Sequence, residues 1–579
     1  MFGFYNRLLR VDLPTRSYRV EEIPDEVLSQ YLGGKGLGAY LLLKNSPAGG
    51  DPLSPDNPFI IATGPATGSV LSPASRHVII AKSPLTGVFG ESYAGGHVAP
   101  RIKATGYDAI LLQGAADSPI FLEISDTDVV FHDARDYWGL DTYESQTALQ
   151  DAVGVRGAKT IAIGPAGERL IPFAVIGSDQ GRQSGRTGMG AVLGSKQVKG
   201  IVFHGKTECP LYDAEAIQSF DRDLRERGKT DPGALAYRKF GTPGVVALTN
   251  RICAFPSYYW SDGTVPHWEK ISADTMVEQL KPRPKACYRC FLACGKYSSV
   301  SEGRHAGLQG EGPEYETIFA FGGLCGIDDL AEILYLNMIC DKLGIDTITA
   351  GNVAGFAIEA SRRGAINLDL DYGDVDGIAR LLQQMVDREG LGAVFCKGVR
   401  GASQELGLED LAVHVKGLEP AGYDPRALKG MGLAYAISDR GACHLRSTVY
   451  KAELAGWADR TSAEDKARWV LDFEDRHTVF DTLILCRFYR DLIGWEHLPT
   501  VIHGLTGLEF DQAGLQALSA RVSSLSREFN LREGMTPAAD TLPPRLISEP
   551  LRTSGERLTQ PELEGMLKDY YKRRDWPRE

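Results

Sequence analysis

Along the first two hundred positions, apolar residues come in short runs rather than at helical spacing. They fall at 59–63, 77–82, 109–113, 120–124, 160–163, 173–176 and 200–204. Rich in β-branched residues and flanked by Gly, Pro and Asp, these runs predict strands. Glycine-rich stretches at 33–38 (GGKGLG), 95–96 and 185–190 (GRTGMG) read as turns between them. From about residue 210 the period lengthens. In DDLAEILYLNMICDKLGID, Leu330, Ile333, Leu334 and Met338 recur at i, i+3, i+4 and i+8, which predicts an amphipathic helix. Gly344 suits the position just past its end, and Asp346 suits the N-cap of the next helix, DTITAGNVAGFAIEASRRG. LDFEDRHTVFDTLILCRFYRDLIGW and LTQPELEGMLKDYYKRRDW carry the helical pattern toward the C-terminus. The pattern predicts an α+β chain: a β-rich domain over 1–208, then two mainly α-helical domains over 209–405 and 406–579.

Composition narrows the class. A chain of 579 residues is too long for one core, and 43% hydrophobic with 24% charged residues is ordinary for an enzyme. The net charge of −12 argues against nucleic-acid binding, which needs a basic footprint. No apolar run approaches the roughly 20 residues that span a bilayer. The N-terminus, MFGFYNRLLRVDL, lacks an apolar secretory segment, so a cytoplasmic location is expected. The 65 glycines are densest in the first 200 residues, where they imply tight turns and close backbone approach to a bound group.

Ten cysteines are present, and three are clustered in KACYRCFLACGKY as Cys287-x2-Cys290-x3-Cys294. In a long cytoplasmic chain such spacing points to metal or redox chemistry sooner than to disulfides. Tight loops of this kind supply converging thiolates to an iron–sulfur cluster, with a fourth ligand from elsewhere. Zinc is the competitor, but its usual second ligand pair is missing. On spacing alone, Cys486 in FDTLILCRF reads as a buried cysteine on an apolar helix.

Taken together, GGKGLGAYLL, LSPDNPFIIATGPATG, SRHVIIAKSPLTGVFG, GRTGMGAVLGSK, the cysteine motif, GPEYET and CDKLGID resemble, in order, the tungsten-containing aldehyde:ferredoxin oxidoreductase family. The resemblance implies a β-rich base for two pterin dithiolenes around one tungsten or molybdenum, closed over by two helical domains. It implies one [4Fe–4S] cluster on Cys287, Cys290, Cys294 and Cys486. It matches Asp341, Gly344 and Asp346 to the D-x-x-G-L-D motif that holds one pterin. It matches Asp481 to the D-x-x-G-L-C motif that holds the other, although Ile484 replaces the glycine there. Arg76 corresponds to an arginine between cluster and pterin, and Arg186 and Gly188 to a phosphate-side loop. In Ser92-Tyr93-Ala94-Gly95-Gly96 the family has asparagine where Tyr93 stands, beside a Mg2+ that bridges the pterin phosphates. A phenol is a poor ligand for magnesium, which leaves phosphates, backbone and water to hold the ion.

The same resemblance implies oxidation of aldehydes to carboxylic acids, with electrons passed through the cluster to ferredoxin or another electron-transfer subunit. It also implies a homodimer or a place in a hetero-oligomer. Glu314 matches the active-site glutamate and His444 the histidine; Tyr423 offers a second donor to the substrate oxygen. The alternative for Glu314, and for Glu316 two residues on, is an ordinary acid at a helix start after Pro313. Two other readings remain: the catalytic subunit of an aromatic acyl-CoA reductase, for which Cys325 is the nearest cysteine to GPEYET, and a zinc-binding scaffold.

Overall fold

The computed structural model describes residues 1–577. Strands β1 (Arg7–Asp12), β2 (Ser17–Glu22), β3 (Phe59–Ala62), β4 (His77–Lys82), β5 (Phe89–Ala94) and β6 (Ala109–Gln113) form a sheet in the order β2-β1-β6-β3-β4-β5. A second sheet holds β7 (Ile120–Ile124), β8 (Val129–Asp133), β9 (Lys159–Ala162), β10 (Ile176–Ser178), β11 (Arg182–Ser184) and β12 (Val198–Phe203), in the order β11-β10-β9-β12-β7-β8. Both sheets are mixed, with parallel pairs β1–β6 and β7–β12.

Alternate strand residues point to opposite faces, and in the first sheet both faces are covered. Leu9, Ile61, Ile79, Ile110 and Leu112 meet Leu122, Ile161, Ile201 and Phe203 of the second sheet. Leu8, Ile60, Val78, Ile80 and Leu111 face the other way, against helix Gly34–Asn45 and residues 479–505. That two-sided burial is why the central strands read as unbroken apolar runs. The edge strand β2 is mostly exposed and carries Arg19, Glu21 and Glu22, charges that discourage pairing with another chain.

Two expectations shift. Residues 34–38 of GGKGLG are helical rather than a turn, opening helix Gly34–Asn45. A Cβ at Gly34 would fall 2.0 Å from the Asp481 carbonyl, at Gly36 1.9 Å from that of Tyr31, and at Gly38 2.3 Å from Ile80 Cδ1. Close packing of this helix, not chain reversal, demands the glycines. The strand expected at 173–176 begins only at Ile176, with Phe173 and Ala174 buried as irregular chain.

The helical part follows its sequence pattern. Helix Leu330–Leu343 is N-capped by Asp329, which accepts from Ala331 N at 2.7 Å, and stops at Gly344 with φ 81°. Helix Thr347–Arg362 is capped by Asp346 through Ile348 N at 3.1 Å. One large apolar core runs from Val246 to Tyr571, including Phe395 and Leu411 on either side of residue 405, and it takes in Leu85, Ile171 and Phe173 from the N-terminal part. A small sheet of β13 (Arg283–Lys285), β14 (Gly295–Ser299) and β15 (Gln309–Glu311) frames the cysteine loop. Among the described residues, no helix is long and apolar enough to cross a membrane.

Candidate active site and cofactor-binding residues

The cysteine loop lies between β13 and β14, and the structure brings Cys486 to it. Cys290 Sγ stands 3.2 Å from the Tyr489 hydroxyl, three residues beyond Cys486, and the charges of Cys287 and Cys486 reach both Cys290 and Cys294. Burial, then the neighbouring Cys486 thiol, pushes Cys290 up to about 11; burial, then the Glu314 charge and the neighbouring thiols, lifts Cys294 well above the ordinary thiol range. Gly95 lets the loop come close, since a Cβ there would lie 3.0 Å from Cys287 Sγ. Gly96, at φ 110°, accepts from Tyr288 N at 3.0 Å through its carbonyl. Among the described residues, no three His, Cys, Asp or Glu side chains converge tightly enough for a single ion. Zinc would need its sulfurs about 2.3 Å from one centre, whereas a cubic cluster takes each thiolate at a different corner.

Asp341 and Asp481 end two helices in the same way. Each stands three residues before a left-handed residue: Gly344 at φ 81°, ψ 46°, and Ile484 at φ 62°, ψ 41°. Isoleucine thus adopts the conformation that glycine gives the first motif, at a cost of about 1–2 kcal/mol. Its side chain packs against Gly34 in compensation. Asp341 is buried and accepts from Tyr143 Oη at 3.0 Å, Gln183 Nε2 at 3.0 Å and Asn337 Nδ2 at 3.2 Å; burial pushes it up to about 7. Burial also works to raise Asp481, but Arg487, Arg446, Lys35 and Arg76 overcome it and hold the carboxyl below its ordinary range. Arg446 reaches Asp481 at 3.0 Å and Arg487 also pairs with it.

Between these motifs lies a concentration of buried cations. The guanidinium groups of Arg446, Arg76 and Arg487 stand 5.1, 5.5 and 5.7 Å from the Tyr93 ring centroid. The Tyr93 hydroxyl donates to Glu91 Oε2 at 2.7 Å. Arg76 Nε, Arg446 Nε and Nη2, Arg487 Nε, Gln183 Oε1 and Ser184 Oγ are buried without a hydrogen-bond partner. Buried polar groups in folded proteins find partners. This donor-rich set therefore fits a large anion carrying many hydrogen-bonding atoms, as a bis-pterin cofactor does. Arg186 is spoken for differently: it bonds Asp346 at 3.0 Å, the Ala442 carbonyl at 3.3 Å and the Glu419 carbonyl at 2.8 Å. It ties the first motif to the chain before His444. Gly188 is required by packing, as a Cβ there would lie 2.0 Å from the Pro172 carbonyl.

The two candidate glutamates part company. Glu314 is the extended residue before the short helix Tyr315–Thr317 and lies on the side of the cysteine loop. It is bonded by Thr242, and its charge reaches Cys294. Glu316 points the opposite way. Its Oε1 is 3.6 Å from His444 Nε2, and its Oε2 accepts from Gly422 N at 2.9 Å. Burial pushes Glu316 up to about 8. Burial, with Arg186, Arg440, Arg487 and Arg446 adding to it, holds His444 neutral. Glu316 Oε1 and His444 Nδ1 are both buried without a hydrogen-bond partner. Tyr423 lies nearly parallel to His444 at 5.9 Å and stacks on Tyr450 at 4.0 Å, while Tyr315 leans on it at 5.3 Å. After Tyr315 the chain takes a π-helical turn, Ile318–Gly323, a form often found at functional sites.

Sequence reasoning passed over Arg446, Arg487 and Glu91. Arg446 sits two residues past His444 in GACHLRS, and Arg487 directly follows Cys486. Nothing in the Glu91 segment marks it. Cys325 is buried in the helical core, its Sγ 3.5 Å from the Gly351 carbonyl. Cys443 is the thiol beside His444; burial opposes its ionisation, but Arg440 and Arg446 bring it down to about 7.

A two-sheet base capped by helices, with a thiol quartet beside a cation-lined interior and a buried carboxylate–imidazole pair, defines a cofactor-dependent oxidoreductase. Family comparison gives the particular family. Residues 8–205 match the aldehyde ferredoxin oxidoreductase N-terminal domain and residues 219–579 match its domains 2 and 3. The chain belongs to the aldehyde ferredoxin oxidoreductase family. It is 33% identical over 591 residues to the tungsten-containing aldehyde ferredoxin oxidoreductase of Pyrococcus furiosus, covering 100% of this chain and 97% of that one. It is 32% identical to the corresponding protein of Thermococcus kodakarensis, with the same coverage. The WOR-like subunit of an aliphatic sulfonate oxidoreductase of P. furiosus is 28% identical, covering 99% of this chain and 94% of that one. Among solved structures, the active-site complex BamBC of benzoyl coenzyme A reductase with 1,5-dienoyl-CoA superposes with a TM-score of 0.85. It covers 100% of this chain and 95% of that one at 22% identity, a likeness of fold.

Proposed function

We propose that this enzyme oxidises aldehydes to carboxylic acids at a tungsten bis-pterin centre and passes two electrons, one at a time, through a [4Fe–4S] cluster to ferredoxin. The observation that carries this reading is the buried Glu316–His444 pair with its Tyr423 wall. A bound tungsten bis-pterin supplies two-electron redox and oxygen-atom chemistry. Cys287, Cys290, Cys294 and Cys486 would hold the cluster; Asp341, Asp346, Asp481 and the guanidinium groups around Tyr93 would hold the pterins. Arg76, whose guanidinium lies over the Tyr93 ring and whose Nε is buried without a hydrogen-bond partner, would donate to a pterin.

The chain's own residues handle binding and protons. His444, kept neutral, donates a hydrogen bond to the aldehyde oxygen and orients the carbonyl. Glu316, poised near neutrality by burial, accepts a proton from the water or hydrate that delivers the new oxygen. Tyr423 and Tyr450 form a flat wall that orders the substrate and keeps out bulk water. Glu316 reacts as carboxylate, so turnover is expected to rise with pH through about 8.

The test is anaerobic, tungsten-loaded protein with a broad aldehyde panel and a viologen dye, alongside elemental analysis. About four irons and one tungsten per chain with aldehyde-dependent dye reduction support the proposal. Fully loaded protein that reduces an aryl-CoA ring and ignores every aldehyde replaces it with the ring-reductase reading.

A further inference from the structure

A groove of about 610 Å3 opens beside the cysteine loop. Tyr288 and Arg289, the two residues between Cys287 and Cys290, form one wall. Arg101 and Lys206 come from other elements of the N-terminal part, and all three of these cationic side chains are exposed. Among the described residues, Lys103 and Lys159 in the same groove are neutralised by Asp108 and Asp179, at 2.8 and 3.0 Å. Arg101, Lys206 and Arg289 have no ion-pair partner there, and Glu208 is the one acidic side chain in the lining. A locally positive groove thus borders the loop between two candidate cluster ligands, on a chain whose net charge is −12.

We propose that this groove is the docking surface for a small acidic electron-carrier protein, which takes electrons from the cluster on Cys287 and Cys290; this rests on the activity proposed above. Electron transfer falls steeply with distance, and Tyr288 and Arg289 are the surface residues one bond away from two cluster ligands. A docked carrier would sit against the loop that carries two of the candidate cluster ligands. Each carrier accepts one electron, so two dock and leave reduced for each aldehyde that loses two electrons and gains an oxygen from water. The chain's net charge of −12 repels an acidic partner at long range, so a locally cationic groove would steer its orientation as well as its rate.

The sign of the salt effect tests this. Overall repulsion alone makes carrier reduction faster as salt screens it; attraction at the groove makes it slower. Holoenzyme with a purified acidic [4Fe–4S] ferredoxin is expected to lose about tenfold in kcat/KM between about 20 and about 300 mM salt. Turnover with a small dye is expected to change little. Arg101→Glu with Lys206→Glu should raise the ferredoxin KM about tenfold with dye turnover and iron content intact. Arg289→Glu should add to it. These two lie outside the cysteine loop, so their effect does not depend on cluster assembly. A rate that rises with salt, or an unchanged ferredoxin KM in the double variant, overturns the docking role. Wild-type enzyme that turns over dye but not ferredoxin overturns it alone; failure with both overturns the activity as well.

Discussion

At the scale of single residues, the decisive question is which glutamate of GPEYET meets the substrate. Glu314 and Glu316 are two positions apart, yet one lies extended before a helix start and the other inside it, so their side chains diverge. Sequence resemblance alone favours Glu314; the structure brings Glu316 to His444. Glu316→Gln preserves shape and removes the proton acceptor. It is expected to lower kcat by 10² to 10⁴, with Glu314→Gln costing less; the reverse order would return the role to Glu314. Stability supplies an independent readout. The folded value of Glu316 lies above the ordinary carboxylate value. Between the two the folded chain holds a proton that the unfolded chain has released, so stability falls as pH rises to about 8. Glu316→Gln should therefore melt higher than wild type at pH 9 in calorimetry, with little difference near pH 4, below both values.

At the scale of elements, the sequence was readable where one physical signal dominated. The central strands declared themselves because both faces are buried, and helix Leu330–Leu343 because its spacing and its terminal glycine agree. Short or polar strands such as β11, with sequence RQS, had no such signal and are held by pairing alone. Glycine misled at 33–38, where its value is the absence of a side chain inside a helix rather than a turn. The second cofactor motif was blurred by Ile484, whose left-handed backbone is invisible in composition. Gly36→Ala tests the packing argument directly. In an isolated helix alanine is worth about 1 kcal/mol over glycine. Here its Cβ would meet the Tyr31 carbonyl at 1.9 Å, so the melting temperature is expected to drop by several degrees and the pterin content of purified protein to fall. A variant more stable than wild type would mean that the helix can shift without cost.

At the scale of the whole molecule, the candidate cluster residues join stretches that are far apart in sequence. The cysteine loop leans on Gly95, and Cys486 N donates to the Pro73 carbonyl at 2.9 Å just after helix Lys466–Leu483. That geometry would make a cluster held on these sulfurs a staple as well as a conductor. Buried thiols with raised proton affinity lose their protons when a metal binds, so the metal's binding energy becomes stability of the surrounding fold. Arg289, exposed in the middle of the loop and held at φ 57°, reports on that stability as a trypsin site. Cleavage needs the loop to open locally. Holoprotein is expected to resist cutting at Arg289, whereas Cys486→Ala should retain less iron and be cut there first, before the distant two-sheet base. Oxidative removal of iron from the wild type should produce the same early cut without any mutation. Equal resistance in all three preparations would show that the loop is held by its protein contacts, and that the four sulfurs contribute no stability through metal.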